Sequence, residues 1–306
     1  MHFAPAAALI LGACAGQKAD AAYTPRVAHP AYVAGGPVVC IDEAHNNAHT
    51  ADGLYRPLAE LLVKDGFRIR RVKSNLFHGL SDECKVFVSV NAAGGRTYRV
   101  FGLNLPTRSR EHRHESAFAP AEIDRIQSWV RDGGSLLLVA DHYPYGSAAS
   151  ALAHALGVDM SGGLTEASNV DSADPRDHSR LSYSRENGLL RDHPITNGRS
   201  PNERVRRVVT FTGQSVASDA GVALLVLGDS AVDYMRSGST LEGRSAAGRA
   251  QCVALELGKG RVVVMAEAAA LTAQIDDRGH RFGMQLPGND NQQFALNTVR
   301  WLARTF

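Results

Sequence analysis

The chain has 306 residues, of which 44% are hydrophobic and 21% are charged, values typical of a soluble globular protein. Its net charge of +2 gives no electrostatic reason for binding nucleic acid or an anionic membrane surface. The basic stretches FRIRR and RVRR alternate with apolar residues, as the faces of strands do. We therefore expect no nucleic-acid partner.

The first residues have the pattern of an export signal. FAPAAALILGAC is an apolar run shorter than the ~20 residues of a membrane-spanning helix. It ends in Leu11-Gly12-Ala13-Cys14, like the lipobox of a bacterial lipoprotein. Because no Lys or Arg precedes the run, an ordinary Ala-rich N-terminus or a misassigned start codon are alternatives.

This pattern predicts a signal over residues 1–14, lipidation of Cys14 and a periplasmic or membrane-anchored lipoprotein of the bacterial cell envelope. The protein would then meet the membrane only through its lipid anchor. Residues 15–36 are rich in Ala, Pro and Gly, which predicts a flexible tether.

From residue 37 onward, apolar runs of strand length alternate with runs of helical periodicity. PVVCI is followed by a helix-like segment over 53–66, and FRIRRV and CKVFVSV are the next two strands. A second helical pattern over 119–134 leads into SLLLVA, and the small residues of 147–158 form another predicted helix. Strand, helix and strand in this order predict a parallel sheet with right-handed crossovers.

The second half begins with a polar stretch over 159–201, which we interpret as a functional insertion or a lid. RVRRVVTFTG, GVALLVLG and AQCVALELGKGRVVVMA supply further strands, and Gly258-Lys259-Gly260 predicts a hairpin. A helix closes the chain over 289–306. The predicted fold class is α/β, a doubly wound and mainly parallel sheet with helices on both faces, in a single domain over 37–306.

Three cysteines remain besides Cys14. Cys40 and Cys252 lie in apolar runs, and Cys84 stands just before one. An odd number of cysteines is a poor disulfide framework, and free cysteine behaves as a small buried hydrophobe. We therefore predict that all three pack in the core.

Polar side chains follow four of the predicted strands. After VVCI stand Asp42, Glu43, His45, Asn46, Asn47 and His49. Asn91 follows VFVSV, and Glu267 follows RVVVMA. After SLLLVA stand Asp141, His142 and Tyr143. Open parallel sheets bind ligands at the carboxyl ends of their strands, so we expect these side chains to share one edge and form a site.

Each of these residues also has a structural interpretation. Asp42 or Asn46 could cap the following helix, and Thr50 beside them is a good N-cap. A histidine after a strand often makes a structural hydrogen bond. Four strand ends that all carry carboxylate, imidazole or amide groups nevertheless favour a site.

Two chemistries fit these residues. A divalent metal could be held by His45 and His49 with Asp141, or with His142 in its place. Acid–base chemistry without a metal suits hydrolysis or elimination, and its candidate catalytic residues are Asp42, Glu43, His45, Asp141, His142 and Glu267. The candidates for substrate binding are Asn46, Asn47, His49, Asn91, Tyr143 and Asn291. The sequence has no GxSxG, dinucleotide fingerprint or P-loop, which disfavours a serine nucleophile and nucleotide cofactors.

Five segments carry a family resemblance: IDEAHNNAHT, GGSLLLVADHYPYG, DHPITNG, GKGRVVVMAEAAALTAQ and PGNDNQQFALNTVRWL. Together they resemble the DUF4350 group of the class I glutamine amidotransferase-like superfamily, alongside ThuA-like and GldG/IFT-type domains. The resemblance covers nearly the whole chain after residue 36 and implies a flavodoxin-like sandwich. Amidotransferases of this superfamily carry a nucleophilic Cys after a central strand, whereas SLLLVA runs into Asp141-His142. The resemblance therefore does not extend to glutamine hydrolysis.

These patterns predict an exported hydrolase that acts on a small polar or carbohydrate substrate. The alternative is a non-catalytic envelope lipoprotein that binds a glycan or a protein. A third hypothesis is a structural component of a larger complex, docked through residues 159–201. An enzyme should hold at least two titratable groups within hydrogen-bond reach, with perturbed pKa values.

Overall fold

The computed structural model describes residues 16–93, 97–100, 103–106, 115–168, 180–237 and 240–306. The predicted signal and Cys14 lie outside the described residues, so both remain predictions. Within the described ranges, no helix combines the length and the apolar character that crossing a membrane requires.

Short strands and helices alternate along the described chain. The α-helices are α1 (Arg56–Lys64), α2 (Pro120–Arg131), α3 (Tyr145–Ala155), α4 (Pro194–Asn197) and α5 (Asn291–Leu302). Short 3-10 helices cover Pro201–Glu203 and Ala269–Leu271. The strands are β1 (Lys18–Ala19), β2 (Val38–Asp42), β3 (Arg68–Val72), β4 (Cys84–Val90), β5 (Thr97–Val100), β6 (Leu103–Pro106), β7 (Ser135–Val139), β8 (Asp159–Met160), β9 (Leu164–Glu166), β10 (Arg180–Ser184), β11 (Arg207–Phe211), β12 (Val216–Ala217), β13 (Val222–Val226), β14 (Val232–Ser237), β15 (Thr240–Ser245), β16 (Ala250–Leu257), β17 (Gly260–Met265), β18 (Ala273–Ile275) and β19 (Arg281–Gly283).

The large sheet is built on five parallel strands in the order β3–β2–β4–β7–β17. Every residue of β2 and β7 is buried, as the continuous apolar runs of a covered parallel sheet require. Val139 lies opposite Val90 on one side and Met265 on the other. This register ends three neighbouring strands at one level, and the predicted parallel arrangement is confirmed for this part of the sheet.

The other half of the large sheet is antiparallel, which the sequence did not predict. β16 pairs with β17 across the turn Gly258-Lys259, so the predicted hairpin is confirmed. β13, β12 and β8 extend the sheet with further antiparallel pairs. Small antiparallel sheets are formed by β1–β18–β19, β9–β14–β15, β10–β11 and β5–β6. The fold is therefore mixed α/β.

Alternate residues of the parallel strands enter two hydrophobic cores. Val39 and Ile41 of β2 pack in a core with the apolar faces of α1 and α5. Val38 and Cys40 of the same strand pack in a second core with α2 and α3. This division follows from the period of two along a strand. Burial in both cores fixes the strand ends from which the polar residues project.

Cys40 and Cys84 form a disulfide, which corrects the prediction that both are free core residues. They lie in the neighbouring strands β2 and β4, with their Cα atoms 5.9 Å apart, a separation that suits a disulfide. Cys252 is free and fully buried, as predicted. The odd number of cysteines misled the prediction because one of them packs alone.

Residues 18–36, here called the N-terminal strap, pack along the domain and do not form the predicted flexible tether. β1 pairs with β18. Tyr23 Oη donates a 2.6 Å hydrogen bond to Gln292 Oε1 at the start of α5. Tyr32 Oη lies 3.0 Å from Thr305 Oγ1, beyond the end of the same helix. The strap therefore follows α5 from one end to the other.

Arg300 fixes the middle of the strap. Its side chain is 1% exposed and donates to Asp65 at 2.5 and 2.7 Å and to Glu203 at 2.9 Å. It also donates to the backbone oxygen of His29 at 3.0 Å. Removing one partner of such a buried ion pair typically costs about 3–5 kcal/mol. The Pro- and Gly-rich composition of the strap thus belongs to an extended segment that is held in place.

The polar stretch 159–201 contains regular structure in its described part. β8 joins the large sheet through β12, β9 pairs with β14, and β10 pairs with β11. These strands are short and polar, so the sequence contains no apolar run from which they could be predicted. Residues 169–179 of this stretch lie outside the described residues.

Candidate functional site

Four neighbouring strands bring the predicted polar residues to one edge of the sheet. β2 ends at Asp42, while Asn91, Asp141 and Glu267 follow β4, β7 and β17 within two residues. These strands are adjacent and parallel, so their carboxyl ends lie side by side. We call this edge, with the loops that follow the four strands, the rim.

His45 lies between two carboxyl groups. Its Nδ1 is 2.8 and 2.9 Å from the two Asp42 oxygens, and its Nε2 is 3.2 Å from Glu122 Oε1. Carboxylate oxygens only accept, so both ring nitrogens donate and the ring is positively charged. Burial alone would lower the pKa of His45, but the hydrogen bonds and charges of Asp42 and Glu122 raise it.

Asp42 is held by further hydrogen bonds and is fully buried. Its Oδ2 accepts from Ser89 Oγ at 2.7 Å and from Asn47 Nδ2 at 3.3 Å. The backbone N–H of Ala44 donates to its Oδ1 at 3.1 Å. Asp42 thus has its acceptor sites filled by protein groups, which indicates a structural role.

Glu122 connects His45 to the start of α2. It accepts from the backbone N–H of Leu76 at 2.8 Å and from that of Ala119 at 3.0 Å. Burial would raise the pKa of Glu122, but these hydrogen bonds and the charge of His45 lower it. The Asp42–His45–Glu122 cluster therefore ties the loop after β2 to α2.

Asn91 and Asp141 hold each other through two hydrogen bonds. Asn91 Nδ2 donates to Asp141 Oδ2 at 2.6 Å, and the backbone N–H of Asp141 donates to Asn91 Oδ1 at 2.9 Å. Ala268 N–H donates to Asp141 Oδ1 at 2.9 Å. Asp141 remains partly exposed. Its carboxylate is therefore oriented by the protein and still reachable from solvent.

His49 is buried behind Asn91. Its Nδ1 lies 3.3 Å from Asn91 Nδ2, and its Nε2 lies 3.2 Å from Gln274 Nε2. Burial lowers the pKa of His49 to about 4, against the opposing effect of the Asp141 charge. The ring is therefore neutral at pH 7 and can donate through only one nitrogen.

The hydrogen-bond network assigns the proton of His49. Asp141 fixes the orientation of the Asn91 amide, so Asn91 donates to His49 Nδ1 and the proton sits on Nε2. Gln274 must then turn its oxygen toward His49, because the oxygen and nitrogen of an amide are assigned from their partners. This rotation also gives a partner to Gln274 Oε1, which otherwise has none among the described residues. His49 is thus a structural link between the rim and β18.

Glu267 is a buried carboxyl group beside Asp141. Its two oxygens accept from the backbone N–H groups of Ala269 at 2.7 Å and Ala270 at 2.8 Å. Burial, and then the negative charge of Asp141, raise the pKa of Glu267 well above its usual value, although these hydrogen bonds lower it. The backbone N–H groups of residues 268, 269 and 270 therefore donate to two neighbouring carboxyl groups, those of Asp141 and Glu267.

Two of the predicted site residues have other partners. Glu43 forms an ion pair with Arg71 at 2.9 Å and accepts from the backbone N–H of Ala51 at 3.1 Å. Asn291 is fully buried and bonds both backbone groups of Val209, at 2.9 and 2.7 Å. Both side chains hold neighbouring backbone or a neighbouring charge in place.

His142, Tyr143 and Asn46 are partly exposed at the rim. His142 Nδ1 lies 2.9 Å from the carbonyl oxygen of Tyr143. Because a carbonyl only accepts, Nδ1 donates and the neutral ring carries its lone pair on Nε2. Asn46 has a φ of 52°, a left-handed conformation that asparagine tolerates in turns.

The predicted metal set of His45, His49 and Asp141 is not formed. Both nitrogens of His45 donate to carboxylates, and the lone pair of His49 accepts from Asn91. In the part of the chain that the structure describes, no group of three or more His, Cys, Asp or Glu side chains could hold a metal ion. The two histidines that suggested a metal are used to fix the rim.

Three residues of this arrangement were not predicted: Ser89, Glu122 and Gln274. Glu122 bonds back to Ala119 at the start of its helix, as Glu at this position often does. That signal predicts a helix start, but it does not reveal a partner 77 residues away, His45.

No family model and no curated protein matches this chain. Among solved structures, the mmIFT52 N-terminal domain matches with a TM-score of 0.57 and 13% identity, over 87% of this chain and 97% of that one. The cytoplasmic protein STM3548 from Salmonella typhimurium matches with a TM-score of 0.49 and 15% identity, over 87% and 98%. A ThuA-like protein from Bacteroides uniformis matches with a TM-score of 0.42 and 13% identity, over 91% and 94%. The first likeness shows a shared fold.

Proposed function

We propose that the protein is an exported hydrolase of a small polar or carbohydrate substrate, with Asp141 and His142 as acid–base groups. The observation that carries the proposal is the pair formed by Asp141 and Glu267. Burial and the charge of Asp141 raise the pKa of Glu267, while Asp141 is oriented by Asn91 and remains partly exposed. Carboxyl groups whose environments differ in this way recur in acid–base catalysis.

In this proposal Asp141 accepts a proton from a water molecule as that water attacks the substrate. His142, in its charged form, donates a proton to the leaving group, so that water is added across the broken bond. The raised pKa of Glu267 favours its neutral form, which reduces the repulsion between its carboxyl group and the charge of Asp141. Tyr143 and Asn46, both partly exposed at the rim, are candidate contacts to substrate hydroxyls.

Export is supported by the disulfide between Cys40 and Cys84. Disulfides form and persist in oxidising compartments such as the periplasm and are rare in the cytosol. The disulfide joins the two strands that carry Asp42 and Asn91, so it stabilises the rim itself. It fits the lipoprotein signal predicted to end at Cys14.

We further infer that the chain is a DUF4350-type member of the amidotransferase-like superfamily with a flavodoxin-like architecture. The likeness to the mmIFT52 domain supports the architecture. The two cores on alternate sides of β2, one with α1 and α5 and one with α2 and α3, support helices on both faces of the sheet.

The test is hydrolysis of a panel of p-nitrophenyl glycosides and p-nitrophenyl esters by the full chain. His142→Gln removes only one hydrogen bond to a neighbouring carbonyl, so it should fold normally and lower kcat at least about 100-fold. Asp132→Asn is the matched control, because Asp132 is exposed at the end of α2, away from the rim. Absence of turnover on the whole panel, or an equal loss in both variants, contradicts the proposal.

A second candidate function is non-catalytic binding of a glycan or protein. It is favoured by the observation that Asp42, His45, His49, Asn91 and Asn291 all bond to other protein groups. Thermal denaturation with neutral mono- and oligosaccharides separates the two functions. A ligand that raises the Tm, without turnover of the matching p-nitrophenyl glycoside, identifies a binding protein.

A further inference from the structure

The N-terminal strap places the start of the described chain at the rim. Lys18 and Ala19 of β1 pair with Ile275 and Gln274 of β18. The side chain of Gln274 in turn contacts His49, whose other nitrogen faces Asn91. β1 is therefore connected to Asn91 at the rim through its partner strand β18 and through the contacts of Gln274 with His49 and of His49 with Asn91.

The strap reaches this position by running the length of the domain. The following strand, β2, begins at the opposite edge of the sheet, here called the base, where Gly36 N–H donates to Gly66 O at 3.1 Å. From there the strap passes Arg300, which donates to His29 O, and then Lys64, whose Nζ donates to Pro25 O at 2.8 Å. Tyr23 lies beside Gln292 at the start of α5, and the strap ends in β1. If the chain before β2 did not fold back along the domain, its N-terminal end would project from the base and not from the rim.

Only a short piece of chain separates the rim from the predicted lipidation site. Cys14 stands four residues before Lys18. Because an extended chain spans at most about 3.5 Å per residue, four residues limit the distance between β1 and a lipid anchor on Cys14 to about 14 Å. Acyl chains on Cys14 enter the hydrocarbon core of a bilayer, because burial of each CH₂ contributes about 0.8 kcal/mol. The edge of the domain that carries β1 must then stay near the lipid head groups.

The surface beside β1 suits contact with head groups. Lys18, Arg278 and Arg281 are exposed there, together with Asp277 and His280. Arg281 Nε lies 3.6 Å from an Asp20 oxygen. Such a polar surface can lie against head groups, and none of these side chains would insert into hydrocarbon.

We propose that lipidation of Cys14 holds the rim against the membrane surface, so that the site acts on a ligand carried at that surface. This inference rests on the proposed export and on the rim as the functional site. It favours a polar or sugar group presented by the membrane over a large soluble partner, because a gap of about 14 Å or less leaves little room for such a partner.

Fluorescence quenching in vesicles tests this orientation. The full chain, processed in a bacterial host, is labelled at Arg278→Cys beside the rim or at Lys259→Cys at the base. Both positions are exposed, while Cys252 is buried and Cys40 is bonded to Cys84. In phosphatidylcholine vesicles with a head-group spin label, we expect the label at 278 to be quenched several-fold more than the label at 259.

Two variants sharpen the experiment. Cys14→Ser should leave the protein in the aqueous phase and both labels unquenched. An insertion of 20 Gly and Ser residues after Gly16 keeps the anchor but lengthens the connection, so the two labels should become similarly quenched. Stronger quenching at 259 than at 278, or a chain with Cys14 intact that stays in the aqueous phase, overturns the proposal.

The orientation can be measured apart from catalysis. His142→Gln, which the proposed function makes inactive, should show the same quenching pattern as the unmodified rim. Turnover of soluble p-nitrophenyl substrates by detergent-solubilised protein tests the hydrolase alone. If the quenching shows a different orientation, the turnover assay still tests the hydrolase. If no substrate is turned over, the quenching assay still tests the orientation.

Discussion

Asn91 and Asp141 form a reciprocal pair in which the amide of Asn91 donates to the carboxylate at 2.6 Å and accepts from the backbone of Asp141 at 2.9 Å. The two residues follow adjacent parallel strands, β4 and β7. The pair orients the partly exposed carboxylate, and through Asn91 it also fixes the proton on buried His49. The side-chain amide of Asn91 therefore fixes both the carboxylate of Asp141 and the ring of His49 in the central part of the rim.

Asn91→Gly should lower the free energy of unfolding by about 1–3 kcal/mol, because Asp141 loses its side-chain partner. Glycine accepts the left-handed φ of 46° found at this position. Asn91→Ala should cost about 1 kcal/mol more, since alanine is strained there. Urea unfolding followed by Trp fluorescence measures both. A glycine variant as stable as the wild type would show that the pair contributes nothing.

The charged His45 predicts a stability that depends on pH. Its pKa is raised in the folded state, so its contribution is complete below about pH 6.5 and is lost as the pH rises through the folded pKa. The pKa of Glu122 is lowered, so its contribution is present above about pH 4.3 and is lost as the pH falls through the folded pKa. We expect His45→Gln to flatten the decline in Tm on the alkaline side.

His280→Gln is the control for that experiment. His280 also bonds a carboxylate, Asp276 at 2.9 Å, but its side chain is 62% exposed. Solvent screens such an exposed pair, so it contributes little to stability. The control should therefore keep the wild-type dependence of Tm on pH, and identical profiles for His45→Gln and wild type would refute a charged His45.

Glu267 should titrate differently once its neighbour is neutral. Burial is the first cause of its raised pKa and the charge of Asp141 is the second. Asp141→Asn should therefore lower the pKa of Glu267 while leaving it above the usual value of about 4.3. The carboxyl carbon of Glu267, followed by NMR and assigned by its loss in Glu267→Gln, reports the change. Asp132→Asn should not move it.

The same raised pKa has a consequence for stability. A carboxyl group whose folded pKa is raised contributes fully below its unfolded pKa, about 4.3, and that contribution is lost as the pH rises through the folded pKa. Asp141→Asn should make this loss smaller. An unchanged dependence on pH would mean that the two carboxyl groups do not interact.

Reduction of the disulfide should destabilise the protein. Cys40 and Cys84 close a loop with a sequence separation of 44, and removing such a link typically costs about 2–4 kcal/mol. We expect the double variant Cys40→Ala, Cys84→Ala to show this loss and to be insensitive to dithiothreitol. Cys252→Ala should retain the wild-type response to dithiothreitol. A wild-type Tm that is equal with and without reductant argues against the bond.

The sequence predicted those parts of the rim that depend on strand order. VVCI, VFVSV and SLLLV are apolar enough to identify buried parallel strands, and parallel strands place their carboxyl ends together. Asp42, Asn91 and Asp141 could therefore be assigned to one edge before any coordinates. Nothing in such a pattern tells which polar group will face which.

The pairings depend on tertiary contacts between distant segments. His45 meets Glu122 across 77 residues, and His49 meets Gln274 across 225. Because of these contacts, the two histidines that we predicted as metal ligands have structural roles. The short polar strands β8 to β10 and the pairing of β1 with β18 were missed for a related reason, since two to five residues carry too little periodicity to be recognised.

The N-terminal strap can pack on α5 only after that helix has been synthesised. Tyr23 and Gln292 are 269 residues apart, and Tyr32 and Thr305 are 273 apart. Contacts of such high sequence separation slow folding, because a very long loop must close before they form. An emerging chain therefore carries residues 18–36 without their partners on α5 until that helix has been made. A nonsense mutation that removes α5 would therefore leave the N-terminal strap without the helix on which it packs.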